Sequence, residues 1–392
     1  MLRAMSTAPT ENADLLPAVV IGAGPAGLAS AVCLKRHGVD ALVLEAGPSL
    51  ANSWRNHYDR LHLHTVKQQS HMPGLPFARE MPRYPSRDDV VAYLQAYAAR
   101  FAIQPRTGEP VRRVRPGADG VLIVESERAT YRARAVVLAA GLNRVPNPDR
   151  LPDQDRFRGA VIHSRDYRNA DRFAGQRVLV VGAGNTGAEI ALDLAEHGAR
   201  PTMALRSPVN IVPRDFLGMP TQLTAIRIRW LPIKLRDWIG RLVSRLAFGN
   251  LTRHGLARPA FGPLTSIERR GRIPIIDVGT IAAIKRGDIA VKPALARFSE
   301  TGAVFADGSE DDFDAAILAT GYRPALAEMV EVPGVLDGDG VPRDWRGGGM
   351  QPNLFFVGYT QPATGLLRQI GIDAEAAAAA IVHPGAPRNR HG

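Results

Sequence analysis

Residues 18–47 read AVVIGAGPAGLASAVCLKRHGVDALVLEAG, and residues 177–206 read RVLVVGAGNTGAEIALDLAEHGARPTMALR. Each stretch has an apolar run, a glycine-rich turn, an Ala- and Leu-containing segment that ends at His-Gly, and a second short run. This is the pattern of a βαβ unit, in which glycines lead the chain sharply from a strand into a helix. Two such units predict an α/β fold with two Rossmann-like dinucleotide-binding domains.

The first glycine loop, GAGPAG, follows its strand directly. Its first glycine permits the tight turn, its second lets the backbone approach a pyrophosphate, and its third lets the helix pack close to the strand. The phosphates then meet unpaired N–H groups at the helix N-terminus. Glu45 stands at the end of the second strand, where a carboxylate accepts hydrogen bonds from a ribose diol. The candidate contacts are Gly22, Gly24, Pro25, Ala26, Gly27 and Glu45.

The second glycine loop, GAGNTG, repeats the spacing but not the acid. Its second strand ends at Arg206 and Ser207, and an arginine at that point binds a 2′-phosphate, so NADPH is favoured over NADH. Arg206 as an ordinary solvated surface residue remains the alternative. The residue placed to meet the ribose is thus a carboxylate in the first unit and an arginine in the second. This difference predicts a flavin paired with a nicotinamide, and hence an electron-transfer enzyme. The candidate contacts are Gly182, Gly184, Asn185, Thr186, Gly187, Arg206 and Ser207.

Composition excludes several other classes of protein. The chain has 392 residues, of which 45% are hydrophobic and 22% charged, so neither one small domain nor a disordered chain fits. Its single cysteine, Cys33, excludes an internal disulfide, a redox dithiol and a thiolate metal cage. The sequence contains no HExxH motif and no GxSxG nucleophile elbow. We therefore expect no metal site and, because the N-terminus lacks a signal-peptide pattern, a cytoplasmic protein.

A net charge of +11 suggests nucleic-acid binding, but the distribution of charge argues against it. Most basic residues are arginines scattered along the chain, and residues 226–258 alone hold eight of them against one acid, Asp237. Pro232 is placed to open a helix there and Gly249 to close it. Three interpretations stay open for this segment: a helix with a solvated Arg face, a lid over a substrate channel, or weak attachment to an anionic membrane.

Other elements suggest how the two units are connected. Ser86 is a candidate N-cap for the helix that follows it, and TYRARAVVLAAG and DDFDAAILATGY read as buried strands entering glycine turns. The simplest organisation is one nucleotide domain split by insertion of the other. We expect a flexible leader at 1–14, an FAD-binding domain at 15–168 and 306–385, and an NADPH-binding domain at 169–305.

Several further motifs resemble the flavin-containing monooxygenases. FRGAVIHSRDY, with Phe157, Gly159, His163 and Tyr167, is similar to their pattern FxGxxxHxxx(F/Y), and ATGY at 319–322 is similar to their late ATG motif. The stretches YDRLHLHTVKQ, RIPIIDVGTIAAIKRGDI and FDAAILATGYRP look particularly like the YUCCA-type members. Tyr167 points away from Baeyer–Villiger members, which typically have Trp or Asp at that position. The resemblance covers roughly residues 16–383.

This resemblance implies a reaction. NADPH reduces FAD, and reduced FAD with O₂ forms a C4a-(hydro)peroxide that oxygenates a small-molecule substrate. The preferred substrate class is aryl 2-oxo acids, with oxidative decarboxylation as for indole-3-pyruvate. S- or N-oxygenation of a small soft nucleophile is the alternative, and a non-oxygenating redox sensor or partner protein is an alternative of another class. The missing dithiol excludes a disulfide reductase.

The resemblance also implies roles for residues outside the loops. His64 and Lys67 are expected nearest the reactive edge of the flavin, and His64 stands where animal-type members usually carry Asn. A histidine merely hydrogen-bonded in a turn is the alternative for His64, and packing between domains is the alternative for His163. The oligomeric state stays open. The flavin-side candidates are Trp54, Val111, Gly141 and Gly358, and the nicotinamide-side candidates are His163 and Gly321.

Overall fold

The computed structural model describes residues 10–147, 150–344 and 351–383. Residues 1–9 of the predicted leader, and 148–149, 345–350 and 384–385 of the predicted FAD-binding segments, lie outside the described residues. The end of the predicted leader is wrong, because residues 10–14 belong to the first strand. Thr10, Glu11 and Asn12 pair in parallel with Ala129, Thr130 and Tyr131.

Strands and helices alternate within the two glycine-loop units, and elsewhere several strands follow one another. The elements of its first part are β1 (Thr10–Ile21), α1 (Pro25–Arg36), β2 (Ala41–Leu44), α2 (Asn52–Arg55), α3 (Arg87–Arg100), β3 (Val111–Pro116), β4 (Leu122–Ser126), β5 (Ala129–Leu138), β6 (Val145–Pro146), β7 (Ala160–His163), β8 (Arg177–Val181), α4 (Asn185–Glu196) and β9 (Arg200–Ala204).

Shorter elements follow before the chain closes with a long helix. They are β10 (Ile211–Pro213), β11 (Asp215–Phe216), β12 (Met219–Pro220), α5 (Thr221–Arg227), α6 (Ile233–Phe248), α7 (Pro263–Arg270), β13 (Ile275–Asp277), α8 (Thr280–Arg286), β14 (Ala290–Lys292), β15 (Leu295–Phe298), β16 (Gly302–Phe305), β17 (Glu310–Asp312), β18 (Ala315–Leu318), β19 (Tyr322–Arg323), β20 (Leu354–Phe356) and α9 (Leu366–Val382).

The first sheet has the order β2-β1-β5-β4-β3, with β20 also paired to β5. β1, β2, β5 and β20 are parallel, whereas β3 and β4 form an antiparallel extension. Helices α1, α3 and α9 cover one face of this sheet with a buried apolar cluster that includes Cys33. Burial on both faces explains why residues 18–21 of β1 and 135–138 of β5 are continuous apolar runs.

The second sheet has the order β14-β9-β8-β18-β7, with every pair parallel. β18 carries the strand before the late ATG motif and lies between β8 and β7. The structure therefore corrects the expected domain boundaries, because Ala160–His163 and Ala315–Leu318 complete the second sheet and not the first. β20 and α9 do return to the first domain. The predicted fold of two Rossmann-like domains, one inserted into the other, is confirmed.

Local end signals predicted two helices correctly. The hydroxyl of Ser86 accepts a hydrogen bond from the backbone N–H of Asp89, and the Asp89 carboxylate accepts from the N–H of Ser86, which is a capping box. Helix α6 lies between Pro232 and Gly249, and Gly249 has φ +63°. In the described part of the chain, no helix is long and apolar enough to cross a membrane.

Candidate functional site

The three glycines of the first loop are needed for two different reasons. A Cβ on Gly22, whose φ is +110°, would overlap the carbonyl oxygen of Ala139 at the end of β5, and a Cβ on Gly27 would overlap the carbonyl oxygen of Gly22. A Cβ on Gly24 would meet nothing within 4 Å. The outer two glycines are thus required by packing, while the middle one borders an open cradle at the N-terminus of α1. Such a cradle fits a pyrophosphate.

Glu45 lies beside this loop at the end of β2. One carboxylate oxygen accepts a hydrogen bond from the N–H of Ala23 at 2.7 Å, and the other accepts from the N–H of Gly47 at 2.8 Å. The carboxylate is therefore held at the edge of the cradle, in the position from which a carboxylate receives a ribose diol.

The other predicted flavin-side residues belong to the same domain. Trp54 on α2 packs against the apolar core, with its ring edge-on to His57. Val111 is buried at the start of β3. Gly141 and Gly358 both have positive φ and follow β5 and β20, and a Cβ on Gly358 would lie only 3.0 Å from that of Ala26.

The second loop repeats the first loop's construction. A Cβ on Gly182, whose φ is +128°, would overlap the carbonyl oxygen of Ala319, and a Cβ on Gly187 would overlap that of Gly182. Gly184 again faces open space. Asn185 is tied to β13, because its side chain accepts from the N–H of Ile276 at 2.7 Å and donates to the Pro274 carbonyl. This loop also fits a pyrophosphate at the N-terminus of α4.

The far end of this second site is cationic. Arg206 is exposed. The hydroxyl of Ser207 accepts a hydrogen bond from Arg272 at 3.5 Å. Sequence reasoning missed Arg272, because it lies far along the chain, just before β13. Two guanidinium groups and a hydroxyl suit a phosphate at this position.

A cleft of about 1260 Å³ joins the second loop to the first domain. Ligand sites typically measure about 300–1000 Å³, so this cleft has room for a nucleotide and a substrate together. Among the predicted site residues its lining includes His64, Gly182, Gly184, Asn185, Thr186, Arg206, Ser207 and Gly321. The lining does not include the first loop, Trp54, Val111, Gly141, Gly358, Gly187, Lys67 or His163.

One wall of the cleft comes from α5, the residue that follows it, and α6. Ile228, Ile239 and Val243 make it apolar, and Arg236 adds a cation. Arg236 forms an ion pair with Glu268 at 3.1 Å, while its buried Nε has no hydrogen-bond partner in the described chain. An apolar wall that also carries a guanidinium suits an organic anion.

His64 bridges the two domains at the cleft. Its Nε2 lies 2.6 Å from Oε1 of Glu189, a buried carboxylate on α4. Burial and the Glu189 carboxylate raise the pKa of Tyr58 well above its usual value, and a hydrogen bond with Thr186 opposes this shift. Tyr58 and Thr186 also line the cleft. Glu189 escaped sequence reasoning because it looks like any polar residue within an amphipathic helix.

His57, another lining residue, is held neutral. Burial, together with the cations of Arg165 and Arg168, lowers the pKa of His57 to about 4. It can therefore accept or donate a hydrogen bond near neutral pH but carries no charge there.

The structure does not bring Lys67 to the cleft. Its ammonium donates to the carbonyls of Ala78 at 3.1 Å and Arg79 at 2.6 Å, and also to that of Met81. All three N–H donors of Lys67 thus hold the loop 78–81. The expectation that it lies beside the reacting atoms disagrees with this placement.

The residues of the FxGxxxHxxx(F/Y) pattern mainly make packing contacts and do not line the cleft. Phe157 packs on Phe298 in a buried cluster, and the hydroxyl of Tyr167 donates to Asp193 on α4 at 2.6 Å. His163 ends β7 with its ring edge-on to Tyr322, and burial lowers its pKa. The neighbouring Ser164, and not His163, lines the cleft. Within the described ranges, no group of three or more His, Cys, Asp or Glu residues could hold a metal ion.

Comparison with known sequences gives matches over most of the chain. Residues 19–214 match the profile of the pyridine nucleotide-disulphide oxidoreductase family. Indole-3-pyruvate monooxygenase YUCCA1 of Oryza sativa subsp. japonica is 42% identical over 354 residues, which are 88% of this chain and 86% of that protein. Indole-3-pyruvate monooxygenase YUCCA6 of Arabidopsis thaliana is 39% identical over 91% of this chain and 88% of its own.

Solved structures agree with the fold. The flavin-containing monooxygenase of Stenotrophomonas maltophilia superposes with a TM-score of 0.71 and 26% identity, covering 94% of this chain and 98% of that one. The closed structure of cyclohexanone monooxygenase gives 0.67 with 20% identity, covering 95% of this chain and 85% of that one, and shares the fold.

Proposed function

Because the chain belongs to the YUCCA-type flavin-containing monooxygenases, an FAD- and NADPH-dependent enzyme family, we propose that it oxidatively decarboxylates an aryl 2-oxo acid of the indole-3-pyruvate class. One 2-oxo acid, O₂, NADPH and a proton would give the carboxylic acid one carbon shorter, CO₂, water and NADP⁺. The observation that carries the proposal is the cleft between the second glycine loop and the apolar wall of α5 and α6.

The two loops and the residues at their ribose ends divide the cofactors between the domains. The cradle at Gly24 and the carboxylate of Glu45 suit FAD, whereas the cradle at Gly184 with Arg206 and Arg272 suits NADPH. When both are bound, NADPH supplies a hydride and the reduced flavin activates O₂. The protein's own contribution is to orient these groups, to shield them from water and to supply hydrogen bonds.

The substrate would lie against the wall of α5 and α6. Ile228, Ile239 and Val243 offer a surface for an aromatic ring, and the guanidinium of Arg236 offers hydrogen bonds to the carboxylate. A thioether or an amine would leave that guanidinium without a new partner. The wall therefore favours a 2-oxo acid over a soft nucleophile.

His64 would hold a proton at the domain boundary. The contact between Nε2 and the Glu189 carboxylate fixes the ring and leaves Nδ1 for another partner. His64 is then a candidate to exchange a proton with the reacting atoms, while Glu189 positions it.

The test combines a survey of candidate substrates with a pair of variants. We expect NADPH and O₂ consumption to rise with aryl 2-oxo acids and CO₂ to appear in equal amount. Arg236→Gln should raise KM for the 2-oxo acid about tenfold, because it removes a charged hydrogen bond. Lys234→Gln, on the exposed side of the same helix, should leave KM unchanged.

Two outcomes would contradict the proposal. Stimulation by thioethers or amines, with none by 2-oxo acids, would assign S- or N-oxygenation. An FAD-loaded protein whose O₂ consumption responds to no compound would indicate a redox sensor.

A further inference from the structure

We propose that the outer side of helix α6 docks this protein onto an anionic lipid surface. Four large apolar side chains follow one stripe of the helix and are exposed: Leu235 (42%), Trp238 (60%), Leu242 (39%) and Leu246 (66%). Trp230, just before the helix, is 78% exposed. A soluble surface rarely presents so continuous an apolar row, which therefore indicates an interaction site.

Cations flank this stripe. Lys234 and Arg245 are exposed on α6, and Arg227 and Arg229 are exposed just before it. Asp237, the one acid of residues 226–258, is buried and accepts hydrogen bonds from the backbone N–H of Leu264 and from Thr265. The outer side of α6 consequently carries positive charge with no carboxylate from residues 226–258 to balance it.

A different side of α6, roughly a quarter-turn round the helix from the stripe, lines the cleft with Arg236, Ile239, Gly240 and Val243. The side opposite the stripe is buried at Asp237, Ser244 and Phe248. The exposed stripe is therefore distinct from the wall of the cleft. The helix has 16 residues, about 24 Å, which is shorter than the roughly 30 Å hydrocarbon core of a bilayer. It would lie in the interfacial plane, where tryptophan is favoured, with its cations on lipid phosphates and carboxylates.

Charge complementarity selects the anionic lipid over a second copy of the chain. Two such faces brought together would place like charges opposite each other, whereas an anionic surface neutralises them. Docking would hold the cleft next to the bilayer, since one helix forms both the exposed stripe and part of the cleft wall.

The test uses the full-length, FAD-loaded protein and vesicle co-sedimentation. We expect binding to phosphatidylcholine vesicles that contain phosphatidylserine, little binding to phosphatidylcholine alone, and release by high salt. Trp238→Ser with Leu242→Ser should weaken binding about tenfold or more. Lys234→Glu with Arg245→Glu should weaken it similarly, whereas the same charge change at exposed Arg134 and Arg200 should have a much smaller effect. Thermal unfolding should be nearly unchanged in every variant, because the altered side chains are exposed.

Three results would overturn the proposal. They are no binding of the wild-type protein to anionic vesicles, equal loss in the Arg134 and Arg200 control, and a dimer in sedimentation velocity that Trp238→Ser dissociates. The last result would assign the stripe to a second copy of the chain.

Discussion

The two glycine loops have the same backbone arrangement and need glycine for the same steric reasons. In each, the first glycine avoids a carbonyl oxygen of a neighbouring strand, Ala139 in one domain and Ala319 in the other, and the third glycine avoids the carbonyl of the first. In each, the middle glycine borders open space. Two domains can thus share a phosphate cradle while differing in what they bind.

The difference between the loops lies at the end of the next strand. The Glu45 carboxylate accepts hydrogen bonds from two backbone N–H groups. Arg206, by contrast, is exposed, and the neighbouring Ser207 accepts a hydrogen bond from Arg272. We therefore propose that the backbone of each loop binds phosphate, and that one or two side chains outside the loop select the ribose that binds beside it.

The largest expected effect is on folding. Gly27→Ala should lower the free energy of unfolding by about 4 kcal/mol or more, because the new Cβ overlaps a backbone carbonyl that cannot rotate away. Gly187→Ala should cost less, since its overlap is smaller. Soluble yield and chemical denaturation measure both. Equal stability of wild type and Gly27→Ala would show that the loop is not packed in this way.

The next effect separates cofactor binding from folding. Gly24→Ala and Gly184→Ala place their Cβ atoms in open space and should change stability by less than about 1 kcal/mol. Gly24→Ala should weaken FAD binding about tenfold or more, and Gly184→Ala should keep FAD but weaken NADPH binding similarly. Flavin absorbance and titration calorimetry report the two affinities. Full FAD occupancy in Gly24→Ala would show that the backbone at Gly24 does not contact FAD.

The third effect concerns the ribose end of the second site. Arg206→Ala should raise KM for NADPH by roughly tenfold to a hundredfold, the value of a charged hydrogen bond of about 1.5–3 kcal/mol, with little change for NADH. Arg272→Ala should act in the same direction but more weakly. Arg200→Ala, at the other end of β9, is the matched control. An equal loss with both cofactors would make Arg206 a structural residue.

The smallest effect tests the bridge between the two domains. His64→Ala should lower the product formed per NADPH roughly fivefold and raise hydrogen peroxide release, because one hydrogen bond of about 1 kcal/mol is lost. Glu189→Gln should shift the pH profile of that ratio, since it changes the group that positions the ring. His62→Ala, an exposed neighbour, should change neither. An unaltered ratio in a folded, FAD-loaded His64→Ala variant would make His64 structural.

Residues that act through neighbours in the chain were predictable. The glycine loops, the Ser86 cap and the Pro232–Gly249 limits of α6 each depend on a few consecutive residues. Glu189 and Arg272 were missed because their importance arises from residues far away in the chain, His64 and Ser207. Lys67 misled the prediction because its distance from His64 along the chain says nothing about the direction of its ammonium group.

The sequence by itself determined that the chain builds two strand–turn–helix units, because a tight turn, a close helix and a phosphate cradle demand glycines at fixed spacing. Only the tertiary structure decided which sheet each remaining strand completes. The apolar run at Ala315–Leu318 satisfies either sheet, since a buried parallel strand pairs through backbone groups that every residue has. Its place between β8 and β7 follows from packing across the whole domain, which no local pattern encodes.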